Sequence, residues 1–188
     1  MKLLALRCPN CNHSLAPENE HIVVACESCH AAVHLGDEGL TQTPVHYVAP
    51  KSDAQVTGWL PFWVFHGHVN IKRRVTQGGR STEVSLWEQP CDLYVPAWEL
   101  SLSKAQAIGS DLIQRQPAYP PAPQPDALRL TPVTLDTKDA LSMLEFIVLA
   151  IEARRPDWLK SLDFELEVGE AALWALPAEG KVIVALGE

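Results

Sequence analysis

Positive charge is scarce in this chain: 15 Lys and Arg stand against 23 Asp and Glu, a formal net charge of −8 over 188 residues. That balance excludes a protein built mainly to hold nucleic acid or an anionic membrane by bulk charge, although a local patch remains open. Long hydrophobic runs are also missing. Leu3-Leu4-Ala5-Leu6 is cut short by Arg7, below the roughly seven apolar residues a secretory leader needs. The longest later stretch, Ala140 to Ile151, is interrupted by Glu145 and falls well short of the ~20 residues of a membrane span. A cytoplasmic protein without a membrane span is therefore expected. There is no Gly-rich phosphate loop, no Gly-x-Gly-x-x-Gly, no acid pair at catalytic spacing, no Ser-centred elbow and no internal repeat, so no enzyme class announces itself. What is present, 47% hydrophobic and 20% charged residues, suffices for an ordinary core.

The cysteines are few and unevenly placed. Four of the five form two pairs, Cys8-Pro9-Asn10-Cys11 and Cys26-Glu27-Ser28-Cys29, with fourteen residues between them. Two residues between the cysteines of a pair let a tight turn aim both sulfurs at one point, with backbone N–H groups directed at the thiolates. Two such turns supply the four ligands of a tetrahedral zinc ion. The intervening stretch suits a hairpin that brings the turns together: Pro17-Glu18-Asn19-Glu20 carries turn signals, His21 to Ala25 predicts a short strand, and Ala31 to Leu35 predicts a partner that pairs back on it. Cys8, Cys11, Cys26 and Cys29 are accordingly the candidate metal ligands, with zinc the expected cofactor and iron in the same cage an alternative.

Four thiolates leave no open coordination position, which points to a structural ion rather than a Lewis acid. A module of about 40 residues with few large apolar side chains needs such a staple, and a four-cysteine zinc supplies on the order of 10–16 kcal/mol of coupled folding free energy. A redox dithiol is the rival reading. It requires one Cys-x-x-Cys at the N-terminus of a helix, and neither pair opens an evident helix. His13, His21, His30 and His34 lie close in sequence, but four sulfurs already complete the shell, so the imidazoles read as solvated or supporting groups.

On these residues, positions 6 to 36 resemble the zinc ribbon family. The resemblance implies short β-hairpins around the ion, with Cys8, Cys11, Cys26 and Cys29 where that family places its zinc thiolates. Zinc ribbons often carry Gly just after the second cysteine of each turn, where the backbone turns left-handed; here Asn12 and His30 occupy those places. Asn tolerates that conformation well and His moderately, so the departure bears on the geometry of the turns rather than on the metal. The four-cysteine module together with Leu60-Pro61-Phe62-Trp63 is similar to bacterial zinc-ribbon proteins with a Pro-Phe-Trp segment, a likeness that implies no activity and no functional residues.

The fold class expected is α+β: a zinc ribbon over residues 1–40, a linker or first strand over 41–58, and a mixed antiparallel sheet domain with two helices over 59–188. Gly36 to Pro44 reads as the exit from the ribbon, Val45 to Val48 as a strand, and Lys51 to Gly58 as loop. Phe62 to Val75 and Ser81 to Trp87 predict two strands joined by a turn over Thr76 to Arg80, where Gly78-Gly79 supplies positive φ. Leu93 to Trp98 predicts a short strand at an edge, because Pro96 cannot donate to a ladder. Ser101 or Ser103 caps a helix carrying Ala105, Ile108, Leu112 and Ile113 and ending near Gln116. Five prolines between Pro117 and Pro125 predict an extended surface loop over 117–126. Leu128 to Val133 reads as a strand, and Asp136 or Thr137 caps a long helix from Asp139 to about Arg155 that Pro156 helps to stop. Its stripe of Leu141, Leu144, Ile147, Val148 and Ile151 is widened by Met143, Phe146 and Leu149, as in a helix packed on more than one side or in an interface. Phe164 to Val168, Ala171 to Leu176 and Val182 to Leu186 predict a terminal antiparallel meander. Each side of the proline stretch has only about 60 residues, a marginal size for a separate core, which favours one domain.

Other residues invite chemistry less strongly. His66-Gly67-His68 places two imidazoles on one side of a strand, but no Asp, Glu or Cys completes a metal set at a recognisable spacing. Cys91 is the unpaired cysteine; as a nucleophile it would need His66 or His68 as base, and its plainer reading is a small buried apolar residue. Lys72-Arg73-Arg74 with Arg80 is the one basic cluster, split between the two faces of a strand. Nucleic-acid contact is the sharper reading there and a solvated hairpin the blander one. Trp59, Trp63 and Trp87 fill a core or line a partner surface. Taken together these features imply a non-catalytic interaction or assembly protein that docks a protein partner through the ribbon and an aromatic β surface. The alternatives are a nucleic-acid-associated zinc-ribbon factor and a thiol enzyme using Cys91.

Overall fold

The computed structural model describes residues 6–37, 39–77, 85–125 and 129–187. The main sheet is built along one strand of 20 residues, and counting the others in chain order this is β5, Gly58–Gln77. Trp59 to Phe65 is a continuous buried run, the pattern of a strand covered on both faces, and beyond it exposed and buried positions mix. On one edge β6, Cys91–Pro96, pairs antiparallel with Phe62 to Gly67. On the other edge β9, Ala172–Glu179, pairs with Gly58 to Val64, and β8, Trp158–Val168, pairs with Gly67 to Gln77. Val168 stands opposite Gly67 and Ala172 opposite Val64, so three residues of the β8–β9 link face two of β5. That single extra residue is a β-bulge, and it makes β8 and β9 one long antiparallel partner of β5.

This arrangement replaces the expected terminal meander. β8 and β9 follow β5 in succession instead of pairing with each other, and only β10, Val182–Ile183, folds back on β9. β5 runs on past the end of β6 and offers its second half to β8, which is longer than the span anticipated for it. The expected hairpin partner of β5 also differs. Ser85–Trp87 forms a 3-10 turn, while 78–84, which include the Gly78-Gly79 turn, lie outside the described residues.

β4, His46–Val48, runs parallel to β9, with His46 opposite Trp174 and Tyr47 opposite Ala175, and this makes the sheet mixed. Beyond it β7, Pro121–Ala122, completes the order β6-β5-β9-β4-β7 and leaves β6 at an edge, as Pro96 implied. The proline stretch is thus more than a surface loop: two of its residues pair with β4, Pro117 is buried, and Tyr119 packs edge-on against Tyr94 at 6.3 Å. Helix α1, Leu102–Arg115, ends where Gln116 turns left-handed at φ 45°. Helix α2, Thr137–Ala153, starts at Asp136, whose carboxylate accepts the Asp139 amide at 2.7 Å. α1 comes so close to the sheet that a Cβ at Gly109 would lie 2.9 Å from the Tyr94 carbonyl oxygen. Two helices and these sheets make the fold α+β. Among the described residues no helix is long and apolar enough to cross a membrane.

A second, three-stranded sheet lies at the N-terminus: β1, Val23–Ala25, β2, Ala32–Gly36, and β3, Gly39–Gln42. The polar stretch expected to be an exit therefore carries the β2–β3 pairing. Strand alternation divides β2 between two cores: Val33 and Leu35 pack with Cys8, Cys26, Cys29, Leu15 and Ala31, while Ala32 joins Val23 in the main core. Of the expected strand at 128–133, Leu128 lies outside the described residues, and the rest survives as single bridges at Leu130 and Val133. The Trp59 amide donates to the Arg129 carbonyl and the Thr131 amide to the Trp59 carbonyl, each at 2.9 Å. The Ile22 amide donates to the Val133 carbonyl at 2.7 Å, and the Val133 amide to the Val23 carbonyl at 2.9 Å. Residues 129–133 thereby strap the N-terminal sheet to β5.

The bulge sets a specific demand on Gly67, where a Cβ would fall 2.2 Å from the Glu167 carbonyl oxygen and 2.7 Å from the Val168 Cα. Both neighbours are backbone and cannot swing away. Gly67→Ala is expected to lower the unfolding free energy by about 1–3 kcal/mol in urea titrations. Gly169→Ala, whose Cβ would meet its nearest atom at 3.7 Å, is expected to cost far less.

Candidate metal centre

The two Cys-x-x-Cys segments fold into matching turns. In the first, the Cys8 amide donates to the His13 carbonyl and the Asn12 amide to the Cys8 carbonyl, both at 2.8 Å. In the second, the Cys26 amide donates to the Ala31 carbonyl and the His30 amide to the Cys26 carbonyl, both at 2.9 Å. Asn12 and His30, the residues standing where zinc ribbons favour glycine, take φ of 61° and 59°. Both therefore adopt the left-handed turn that the pattern demands, despite the cost of a Cβ there.

These turns bring four sulfurs together. The Sγ atoms of Cys8, Cys11, Cys26 and Cys29 all lie within 4.8 Å of one another, and the pairs Cys8–Cys29 and Cys11–Cys26 are 3.6 Å apart. A tetrahedron with metal–sulfur bonds of about 2.3 Å places its sulfurs about 3.8 Å apart, whereas a disulfide requires about 2.05 Å. The quartet has the separation of an ion cage, and the four cysteines are positioned to bind a metal ion. Cys8 and Cys26 are buried against Leu15, Ala31 and Val33, while Cys11 faces solvent. The Ala31 amide and the Asn10 side chain lower the Cys29 thiol to about 6. The Cys11 sulfur also accepts a hydrogen bond from the His13 amide, which lowers its pKa, but partial desolvation and the neighbouring sulfurs outweigh that and raise it. A shared cation relieves that crowding of like groups by favouring the thiolate at every site.

None of the four nearby histidines joins the quartet. His21 Nδ1 instead accepts the Glu18 amide at 3.1 Å, and the His30 carbonyl accepts from the Gln124 amide side chain at 2.9 Å, tying the second turn to the proline segment. Neither cysteine pair stands at the start of a helix. Among the described residues the four cysteines are the one group of three or more potential ligands that converges. The arrangement is consistent with a zinc-ribbon-like module.

Elsewhere the structure separates groups that the sequence placed side by side. Gly67 pairs with Cys91 and His66 with Asp92, so alternation sends the Cys91 side chain to the face opposite His66 and His68. His66 Nδ1 bonds Asp92 Oδ1 at 2.8 Å on the outer face. Cys91 is 7% exposed, and burial, reinforced by the Asp92 charge, pushes its thiol up to about 11. The basic cluster is similarly dispersed. Lys72 bridges Glu165 at 2.5 Å, Arg73 stands opposite Asp163, and Arg80 lies outside the described residues. Arg74 turns inward, its Nε 2.8 Å from Glu152 Oε2 and its guanidinium against both oxygens of Asp157.

Glu152 is fully buried and also accepts from the Trp87 indole at 2.8 Å and from Arg155 at 2.6 Å. Sequence reading missed this buried network. Its one signal is an acid at the position, four residues after Val148, where the apolar stripe of α2 should continue. The aromatic residues of β5 also depart from expectation: Trp59 and Trp63 are each 5% exposed, and the Trp63 indole donates to the Leu135 carbonyl at 2.7 Å. They form core, so the aromatic β surface anticipated for docking is turned inward, and among the described tryptophans Trp158, at 75% exposure, is the open one.

No protein-family model, curated protein or solved structure matches the chain. The fifth cysteine lies apart from this site, in the main core, and its burial there governs its reactivity. Iodoacetamide at pH 7.5 is expected to leave Cys91 unmodified in the folded protein and to alkylate it at the ordinary thiol rate in urea, as read by peptide mass spectrometry. Rapid labelling of the folded chain would restore a reactive thiol.

Proposed function

We propose that this chain is a non-catalytic interaction or assembly protein whose N-terminal module is organised by one structural zinc ion. The observation that carries the reading is the convergence of four sulfurs from two equivalent turns, which completes a tetrahedral shell and leaves no position for water or substrate. Thiolate-only ligation favours zinc or iron over harder cations. In this reading residues 1–40 are the metal module, 41–58 its connection, and 59–188 the body, in a cytoplasmic setting that keeps the thiols reduced. The apolar cluster under the sulfurs holds five buried residues, two of them the cysteines themselves, too few to order a sheet unaided. With the metal in place, the turns present exposed Asn10, Asn12, Glu27 and Ser28 as a polar docking tip. The protonated Cys91, with no imidazole on its face, supports binding over thiol catalysis, and the pairing of Lys72 and Arg74 with acids supports a protein partner over nucleic acid.

Two measurements test this. Elemental analysis of the purified chain is expected to give one zinc per molecule, and the Cys26→Ser, Cys29→Ser double variant none. Hydrogen exchange in that variant should rise by orders of magnitude across Val23–Ala25 and Ala32–Gly36 while β5 and β9 remain protected. Affinity purification from the native cell should recover a defined companion that the double variant loses. Metal-free protein with an ordered N-terminal sheet would overturn the structural ion, and the absence of any companion would overturn the interaction role.

A further inference from the structure

We propose that the groove between β8 and α2 receives an extended, basic segment of a partner protein, which adds to the sheet as a strand along β8. The proposal deepens the interaction role above and rests on it. β8 pairs with β5 along one edge, and among the described residues no strand lies along the other edge of Leu162 to Val168. Alternate residues of that edge present N–H and C=O groups with no ladder partner, which is a template for another chain. Proteins commonly blunt such edges with proline or by keeping them short. β8 has 11 residues, none of them Pro or Gly, and its register with β5 is regular from Leu162 to Asp163 and from Phe164 to Val168.

The edge has a wall. Leu141 and Glu145 of α2 face Leu162 to Glu167 across a cavity of about 440 Å³. Six residues of added strand span about 20 Å, enough to run the length of that lining. A helix beside an open strand is a recurrent setting for strand addition: main-chain bonds hold the guest while alternate side chains are sorted between the two faces. Here the faces are chemically distinct. Leu162, Phe164 and Leu166 are half-buried on one, and Asp163, Glu165 and Glu167 are exposed on the other.

Charge selects the occupant. Glu145, Asp163, Glu165 and Glu167 line the groove, and Lys72 forms a salt bridge with Glu165 alone of the four. A second copy pairing β8 against β8 would set this acidic row against itself, and both copies carry a formal charge of −8. A segment alternating basic and apolar residues places its cations beside the carboxylates and its apolar side chains beside Leu141, Leu162, Phe164 and Leu166. The exposed Phe146 and Leu149 on the outer side of α2 extend the apolar surface for a longer guest.

The test uses the 188-residue chain purified with zinc and a fluorescein-labelled, end-blocked octapeptide of alternating Lys and Val. Fluorescence anisotropy is expected to show saturable binding. Backbone N-methylation of one alternate set of residues should weaken that binding at least tenfold, and methylation of the other set less than twofold, because only one set faces β8. Glu145→Lys with Glu167→Lys should weaken it at least tenfold, whereas Glu170→Lys with Glu179→Lys, at exposed positions outside the groove, should leave it within twofold. The amides of alternate residues in 162–168 should gain exchange protection in the complex. Equal effects of the two methylation patterns, equal loss in both charge variants, or no binding of the peptide would overturn the proposal. If a companion is still recovered from cells in any of those cases, the groove is wrong and the interaction role stands; if no companion is recovered either, the role itself fails.

Discussion

Four sulfurs held 3.6 to 4.8 Å apart are an unstable arrangement unless something positive sits among them. Thiolates at that range repel, and protonated thiols bond one another only weakly. The two turns that carry the sulfurs depend on how this is resolved, while Val23 and Ala32 are held by the main core as well. The left-handed residues Asn12 and His30 carry the cost of a Cβ in that conformation, and they persist because the turns they close aim sulfur at a common centre. The β1–β2–β3 sheet has a small core of its own, five buried residues of which two are the cysteines themselves. An ion held there would be less an accessory to a folded module than a part of its interior.

Much of this was legible beforehand, for a definite reason. Metal ligation is a matter of residue type at fixed spacing, and Cys8, Cys11, Cys26 and Cys29 satisfy it without reference to the rest of the chain. The helices were legible because their signals are local: Ser101 before α1, Asp136 before α2, Pro156 after it. Strand pairing is not local, and there the reading failed. Nothing in Phe164 to Val168 or Ala172 to Leu176 says whether those strands face each other or share a third. The answer depends on the length of β5, which runs on through the polar residues His66 to Gln77 because β8 is there to meet it.

The proline segment and the tryptophans teach a related lesson. Composition marks Pro117 to Pro125 as extended, and it is, but extended chain beside a free edge becomes a strand, as β7 does on β4. Aromatic residues on a strand imply burial somewhere, and whether the cover is the same chain or another one is a tertiary fact. Trp59 and Trp63 found theirs within the fold: Tyr47 packs edge-on against Trp59 at 5.4 Å, and the Trp63 indole bonds the Leu135 carbonyl. Glu152 is the inverse case, an acid drawn into the interior by Arg74, Arg155 and Trp87, three groups that lie far from one another in sequence or are easily taken for surface.

The bulge between β8 and β9 has a consequence for how the chain can vary. Three residues, Gly169, Glu170 and Ala171, span what two residues span on β5, and side chains on a strand alternate between faces with every step. Removing one of them would leave two residues facing two, a regular ladder in which Leu173 stays opposite Trp63 and Ala175 opposite Pro61. Descendants of this chain can therefore lose that one residue without turning β9 over, and the length of the chain is least constrained where one partner of β5 gives way to the next.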